Sequence, residues 1–318
     1  MFNKQTAVIT MTQSTHSQKD LSQTTLGYIN ATIPIEVNNS LFLSIEKARE
    51  FGEKLSENYS SNEPYPHIVL DNFLPSELAT KILENFPLKN NQKIKSEYEL
   101  NYPEIQENKR IIYPNNCNEF SRNIFSFFNS APFLQFLEGL TSISGLISDS
   151  YFNGGGFHQI SKGGKLGIHA DFRINEQLHL NRRLNVLIYL NENWQDEYGG
   201  FLEIWDKKMK NKVHSISPLF NRCVIFSTDA TSYHGHPEPL NCPENITRKS
   251  IALYYYTASK AIYKEVPSNT TMYVSRPNEN PFTKRNAFKL RLQNYSKQLL
   301  PPIIFKALRD LKKSFNSK

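Results

Sequence analysis

From Ser150 to Thr257, apolar residues recur in short runs separated by Gly, Asn and Pro. The runs are GFHQI, KLGIHADF, RLNVLIYLN, GFLEIWD, VHSISP, RCVIFST and SIALYYYT. Strand side chains alternate between faces, and no helical stretch intervenes, so this pattern predicts an antiparallel sandwich or barrel. In RRLNVLIYLN one face carries Leu184, Val186, Ile188 and Leu190, and the other carries Asn185, Leu187, Tyr189 and Asn191. The aliphatic face suits packing under helices. The mixed face suits a cavity wall, or Asn185 and Tyr189 satisfy each other or water.

Upstream the period changes. Residues 41–58 read as a charged helix, and PHIVLDNFLPSELATKILENFP reads as strand, turn and helix, with Pro75 where a first turn tolerates it. Residues 87–116 are polar and read as irregular. Residues 118–140 read as one or two helices broken near Ala131–Pro132, and the chain turns helical and basic again from Pro277. Residues 1–30, rich in Thr, Ser and Gln, are expected to be disordered.

Hydrophobic residues make up 39% of the 318, enough for a core, and Cys117, Cys223 and Cys242 lie far apart with no CxxC pair. Neither a disulfide framework nor a cysteine zinc site is indicated. With no signal-like apolar run and no 18-residue apolar stretch, the expectation is a soluble cytoplasmic protein. The net charge of +7 is uneven: residues 284–318 hold ten Lys/Arg against Asp310 alone, a net +9, which leaves residues 1–283 at −2. The basic character belongs to the tail, and no nucleic-acid partner is expected. Within the tail, Ile303, Ile304, Leu308, Leu311 and Phe315 recur at near-helical spacing, with Lys306, Arg309, Lys312 and Lys313 largely between them. Such a helix either packs on the main domain or makes a peripheral contact with an anionic membrane surface.

The chemistry begins at His169 and Asp171, which share one strand face while Ala170 takes the other. Such a pair is either two metal ligands or a hydrogen-bonded couple. TSYHGHPEPL supplies His234 and His236. A histidine from this second strand completes a two-histidine, one-carboxylate triad, which suits non-haem Fe(II) and also catalytic zinc. Arg248 and Ser250 share a face of the last strand, where the arginine either holds an anionic ligand or makes an ordinary salt bridge.

In this order the words HAD (169–171), YLNENW (189–194), GGFLEIW (199–205), NRCVIF (221–226), HGHPEPL (234–240) and RKSIALYYYT (248–257) resemble the Fe(II)/2-oxoglutarate-dependent oxygenases, in their prolyl-hydroxylase-like branch. The likeness spans roughly residues 62–260. It implies a mainly β fold with flanking helices (α+β), a double-stranded β-helix of the jelly-roll or cupin-like kind with helices on its major sheet. The organisation it suggests is a disordered segment (1–30), an N-terminal helix (31–61), the oxygenase domain (62–262) and a basic helical extension (263–318).

The resemblance implies that His169, Asp171 and His234 bind Fe(II), with His236 competing for the third place. It implies that Arg248 holds the distal carboxylate of 2-oxoglutarate, assisted by Tyr189 and Ser250. Family members often carry a tyrosine some ten residues before the H-x-D word. Here His158 and Gln159 stand in that region, and Gln159 is the candidate contact. Halogenating relatives have a small residue in place of Asp171, so the implied reaction is hydroxylation of a C–H bond with O2, coupled to decarboxylation of 2-oxoglutarate to succinate and CO2. Ascorbate is a candidate reductant. The substrate stays open between a protein prolyl or other residue, an amino acid and a glycan. Arg173, Arg183, Asn185 and Trp205 are its candidate contacts, although Arg173, Arg182 and Arg183 also read as solvated strand-end charges. The competing class is a metal-free binding or structural module on the same fold. A zinc hydrolase would need a general base, which no HExxH word supplies.

Overall fold

The computed structural model describes residues 10–12, 27–38, 40–88, 106–175, 178–259 and 271–277. A helical layer is built from α1 (Ile45–Ser61), α2 (Ser76–Glu84), α3 (Glu119–Phe128) and α4 (Ala131–Thr141). Ser44 caps α1 by accepting from the amide of Lys47, and Asn118 caps α3 by accepting from that of Ser121. The break expected near Pro132 separates α3 from α4, because proline is tolerated only in a first turn. Phe73, Phe125, Phe128, Phe133 and Phe136 are almost fully buried in this layer.

The strands that position the site are β1 (Tyr28–Asn30), β2 (His67–Asp71), β3 (Gln106–Ile112), β4 (Gly156–Ala170), β5 (Leu180–Tyr189), β6 (Leu202–Trp205), β7 (Lys212–Ile216), β8 (Cys223–Ser227), β9 (His234–His236), β10 (Arg248–Ala258) and β11 (Met272–Tyr273). Their order is β1-β2-β8-β5-β10-β4-β9-β6-β7, with β3 and β11 also paired to β4. All these pairs are antiparallel except β1 on β2. β4 serves two walls. Its start (Gly156–Ile160) pairs with β10, and its end pairs with β9, where His169 faces His234. The sheet therefore curls back over itself. Val69, Tyr189, Val224 and Phe226 from one wall meet Leu202, Ile204 and Ile216 from the other in one interior cluster. On the outer face Leu184, Val186, Ile188 and Leu190 join the core under the helices, as the alternation in that run predicts. This is the expected jelly-roll, a double-stranded β-helix backed by helices.

Several expectations change. GFHQI and KLGIHADF form one strand, because Gly163 (φ 74°) carries the backbone through SKGGK without breaking the pairing. Residues 106–112, expected to be irregular, form β3. Thr10–Thr12 and Tyr28–Asn30, within the segment expected to be disordered, are paired strands, and Ile29 is buried. The boundary expected at residue 61 does not separate two cores, since Leu55 and Tyr59 of α1 share one cluster with Ile68, Leu184 and Ile251. Of the expected extension 263–318, residues 271–277 are described and contribute β11. The expected amphipathic helix around Ile303–Phe315 lies outside the described residues. Among the described residues, no helix is long and apolar enough to cross a membrane.

Candidate metal centre

His169, Asp171 and His234 converge, each offering one ligand atom, with all three atoms within 4.8 Å of one another. Strand alternation puts His169 and Asp171 on one face, and the β4–β9 register brings His234 opposite His169. Nε2 of His169 lies 3.7 Å from Asp171 Oδ1, and Nε2 of His234 lies 3.5 Å from Asp171 Oδ2. In both rings Nδ1 lies 2.9 Å from a carbonyl oxygen, that of Gly167 for His169 and that of Ser232 for His234. A carbonyl only accepts, so Nδ1 carries the proton and Nε2 presents its lone pair to the centre. Burial pulls both imidazoles below their ordinary pKa, His169 to about 3, so each is neutral near pH 7 and able to ligate. Gly235 allows this approach: a Cβ there would lie 2.7 Å from the carbonyl oxygen of Gly167.

Asp171 is held by its surroundings. Asn185 Nδ2 donates to its Oδ2 at 2.7 Å, and Arg182 Nη2 reaches the same oxygen at 3.1 Å. Arg182 also donates twice to Asn185 Oδ1, at 3.0 and 2.7 Å, and lies 3.6 Å over the ring of Tyr254. Burial alone would raise the Asp171 pKa. Arg182, then His234 and His169, and the Asn185 hydrogen bond outweigh it and hold the carboxyl well below the usual range.

The cluster opens into a cavity of about 190 Å³ lined by Lys109, His158, Arg182, Leu187, His236, Arg248, Ser250 and Tyr254, among others. Arg248 is 5% exposed. Its Nε donates to the carbonyl of Gly200 at 2.7 Å and its Nη2 to the Tyr189 hydroxyl at 3.2 Å. The GG word now has a reason. Gly200 adopts φ 71°, and a Cβ there would lie 2.5 Å from Leu240 and 3.0 Å from Arg248. Among the described residues no carboxylate pairs with Arg248. Both ring nitrogens of His236, which is 3% exposed, also lack a partner. A buried cation and a buried imidazole facing one cavity without acceptors suit a polar, anionic occupant. Two imidazoles and a carboxylate suit Fe(II), and Arg248 suits the distal carboxylate of 2-oxoglutarate, so the residues present fit both groups.

The structure brings His234, not His236, into the three-residue cluster. Tyr189 reaches the site through Arg248, and Ser250 lines the cavity. Other expectations are corrected. Gln159 alternates away from the cavity and is engaged by Arg110 and Thr247, so His158 lines the wall in its place. Asn185 does line the cavity, with its amide turned to Asp171. A bulge between Arg182 and Leu184 puts Arg182 on the cavity face and turns Arg183 outward, to Thr257 Oγ1 at 3.5 Å. Arg173 is exposed and Trp205 packs with Ile168 and Met209, both outside the cavity wall. Sequence reasoning missed Lys109 and the role of Arg182, and of the adjacent His158 and Gln159 it chose the other. The doublet Arg182–Arg183 was visible, but the bulge that selects one of them was not. A larger cleft of about 700 Å³ beside α2 and α3 is lined by no His, Asp, Glu or Cys.

Comparison with known proteins agrees with the site. Residues 155–256 match the family model described as the 2OG-Fe(II) oxygenase superfamily. Over 82 residues the chain is 32% identical to prolyl 3-hydroxylase OGFOD1 of Mus musculus, a match that covers 24% of this chain but only 15% of that protein's length. Among solved structures, the chain is similar to a prolyl hydroxylase from Trichoplax adhaerens in complex with a hypoxia-inducible-factor peptide (TM-score 0.48, 18% identity, 67% of this chain and 91% of that one). It is also similar to a prolyl-4-hydroxylase from Pseudomonas putida (TM-score 0.46, 16% identity, 65% and 98%). The matched residues enclose the His-Asp-His cluster, and over that stretch the chain is similar to the 2OG-Fe(II) oxygenase superfamily.

Proposed function

We propose that this chain hydroxylates a C–H bond of a small molecule or protein residue. In the reaction O2 supplies one oxygen atom to the product and one to succinate, and the C1–C2 bond of 2-oxoglutarate breaks to release CO2. The observation that carries the reading is the convergence of two Nε2 lone pairs and a carboxylate on one cavity wall, with a buried arginine on another that no carboxylate pairs with among the described residues. Fe(II) and 2-oxoglutarate, when bound, would activate O2, which is the oxidant.

The chain's own residues supply the geometry. Gly167 and Ser232 carbonyls fix the imidazole tautomers, and Arg182 with Asn185 keeps Asp171 ionised and aimed. Arg248, steered by Gly200 and Tyr189, holds the distal carboxylate and so orients the cosubstrate. Leu187 and Leu202 line the cavity with apolar surface that limits water. The similarity to a prolyl 3-hydroxylase makes proline-containing compounds the first to test.

The test is product formation. The protein with Fe(II), O2 and 2-oxoglutarate should release succinate and CO2 in equal amounts, and a substrate should gain about 16 Da in step with them. His169→Ala and Asp171→Ala should each abolish turnover while the fold persists. Wild-type turnover in either variant removes the metal assignment.

A further inference from the structure

Among the Lys, Arg and Asp residues that line the cavity, Lys109 has no assigned task. It lies on β3, where Asn108 takes a left-handed turn (φ 49°) and the register to β4 shifts between Glu107 and Lys109. The Asn108 amide secures that bulge by donating to the carbonyl of Lys162 at 3.0 Å. Bulges re-aim side chains. Here Lys109 and Ile111 line the cavity, while Arg110 between them points away and donates to Gln159 Oε1. Lys109 shares this cavity wall with Asp171, His158, His169, His234 and His236. Among the described residues none accepts a hydrogen bond from it or pairs with it.

Charge balance shows what is missing. The cavity wall carries three cations, Lys109, Arg182 and Arg248, against one carboxylate, Asp171. Asp171 compensates Arg182, and the distal carboxylate of 2-oxoglutarate compensates Arg248. The other cosubstrate carboxylate offsets half the charge of a divalent metal. One positive charge then remains at the metal and one on Lys109. Enclosed cations without anions are costly, and a single carboxylate between these two would relieve both.

We propose that Lys109 receives a carboxylate of the substrate, so that the enzyme acts on a compound bearing a free carboxylate beside the C–H bond it oxidises. This rests on the oxygenase reading above and names its substrate class. An internal, uncharged prolyl peptide would leave Lys109 without a partner; a free amino acid or another small acid would not. The cavity volume of about 190 Å³, shared with the cosubstrate, also favours a small anion.

The experiment is calorimetric binding to the full chain loaded with Mn(II) and 2-oxoglutarate. The probes are free L-amino acids and short monocarboxylic acids, each paired with its carboxamide, L-proline with L-prolinamide among them. At least one acid should bind about tenfold or more tightly than its amide, the worth of one charge-assisted hydrogen bond. The preference should vanish in Lys109→Met and Lys109→Gln and survive in Lys109→Arg. The affinity for 2-oxoglutarate should stay within about twofold in all three, which also shows that they are folded. If no acid outbinds its amide, or the preference survives Lys109→Met, the proposal is overturned. A loss of about tenfold in 2-oxoglutarate affinity in Lys109→Met would also overturn it, by moving the ammonium to the cosubstrate. Failure of the wild type to bind 2-oxoglutarate with Mn(II) would instead defeat the oxygenase reading. An acid preference surviving that failure would leave the anion site standing.

Discussion

Arg248 shows how one residue's surroundings define a ligand. Burial pulls its pKa down and Tyr189 partly offsets this, yet a guanidinium stays charged. Gly200 and Tyr189 occupy Nε and Nη2 and fix the fork, which leaves capacity for a carboxylate. Arg248→Met should therefore weaken 2-oxoglutarate binding by about tenfold to a hundredfold, and leave Mn(II) binding without cosubstrate unchanged. Calorimetry of the two ligands separately checks this, and unaltered 2-oxoglutarate affinity would show that another cation does the job. Asn185 acts on the metal at one remove. Asn185→Ala removes the 2.7 Å hydrogen bond to Asp171 and frees Arg182 from one of its partners. Mn(II) affinity, followed by electron paramagnetic resonance, should fall by about tenfold or more. An unchanged value would mean that Arg182 alone orients the carboxylate.

At the scale of elements, close backbone approaches set the geometry, and glycines permit them. α1 and α4 cross where Gly52 meets Gly139: a Cβ on Gly52 would lie 2.2 Å from the Phe136 carbonyl oxygen, and one on Gly139 2.5 Å from that of Arg49. Gly52→Ala should cost about 1–3 kcal/mol by overpacking, read as a lower urea midpoint at unchanged slope. A neutral result would show that the helices slide apart freely. Gly235→Ala makes the same demand between β9 and β4, but its readout is the metal. Pushing β9 outward displaces His234, so Mn(II) affinity should drop more than overall stability does. Equal losses would mean that the strand, rather than the ligand, had failed.

The same elements show what was legible. Alternation in RLNVLIYLN gave both faces of β5, and the H-x-D spacing put His169 at the end of β4 and Asp171 just past it on one side, because period-two patterning survives folding. The continuity of β4 through SKGGK was not legible, since paired glycines read as a break. β3 was hidden in a polar stretch, and with it Lys109, whose direction depends on a bulge at Asn108 that no residue type announces. Gln159 and His158 were adjacent candidates, and only the pairing with β3, through Arg110, decides which one turns inward.

Over the whole molecule the interior holds several neutral histidines, which ties stability to pH. Outside the metal cluster, burial lowers the pKa of His67 to about 4, and it also lowers those of His158 and His214. His67 is fully buried, donates from Nδ1 to the Tyr65 carbonyl at 2.8 Å, and leaves Nε2 without a partner among the described residues. The sign follows from proton counts. Between the unfolded value near 6.5 and the folded value near 4, the unfolded chain binds a proton that the folded chain does not. Stability is therefore full above about pH 6.5 and is lost as pH falls through this window, by roughly 3 kcal/mol from His67 alone. His158 and His214 act in the same direction. Urea midpoints of the chelator-treated protein should fall steeply between about pH 7 and pH 5, and His67→Gln should flatten the profile by up to one proton's worth. A midpoint constant across that range would show that these imidazoles are hydrated or protonated in the fold, and that the polar interior is more open than its burial implies.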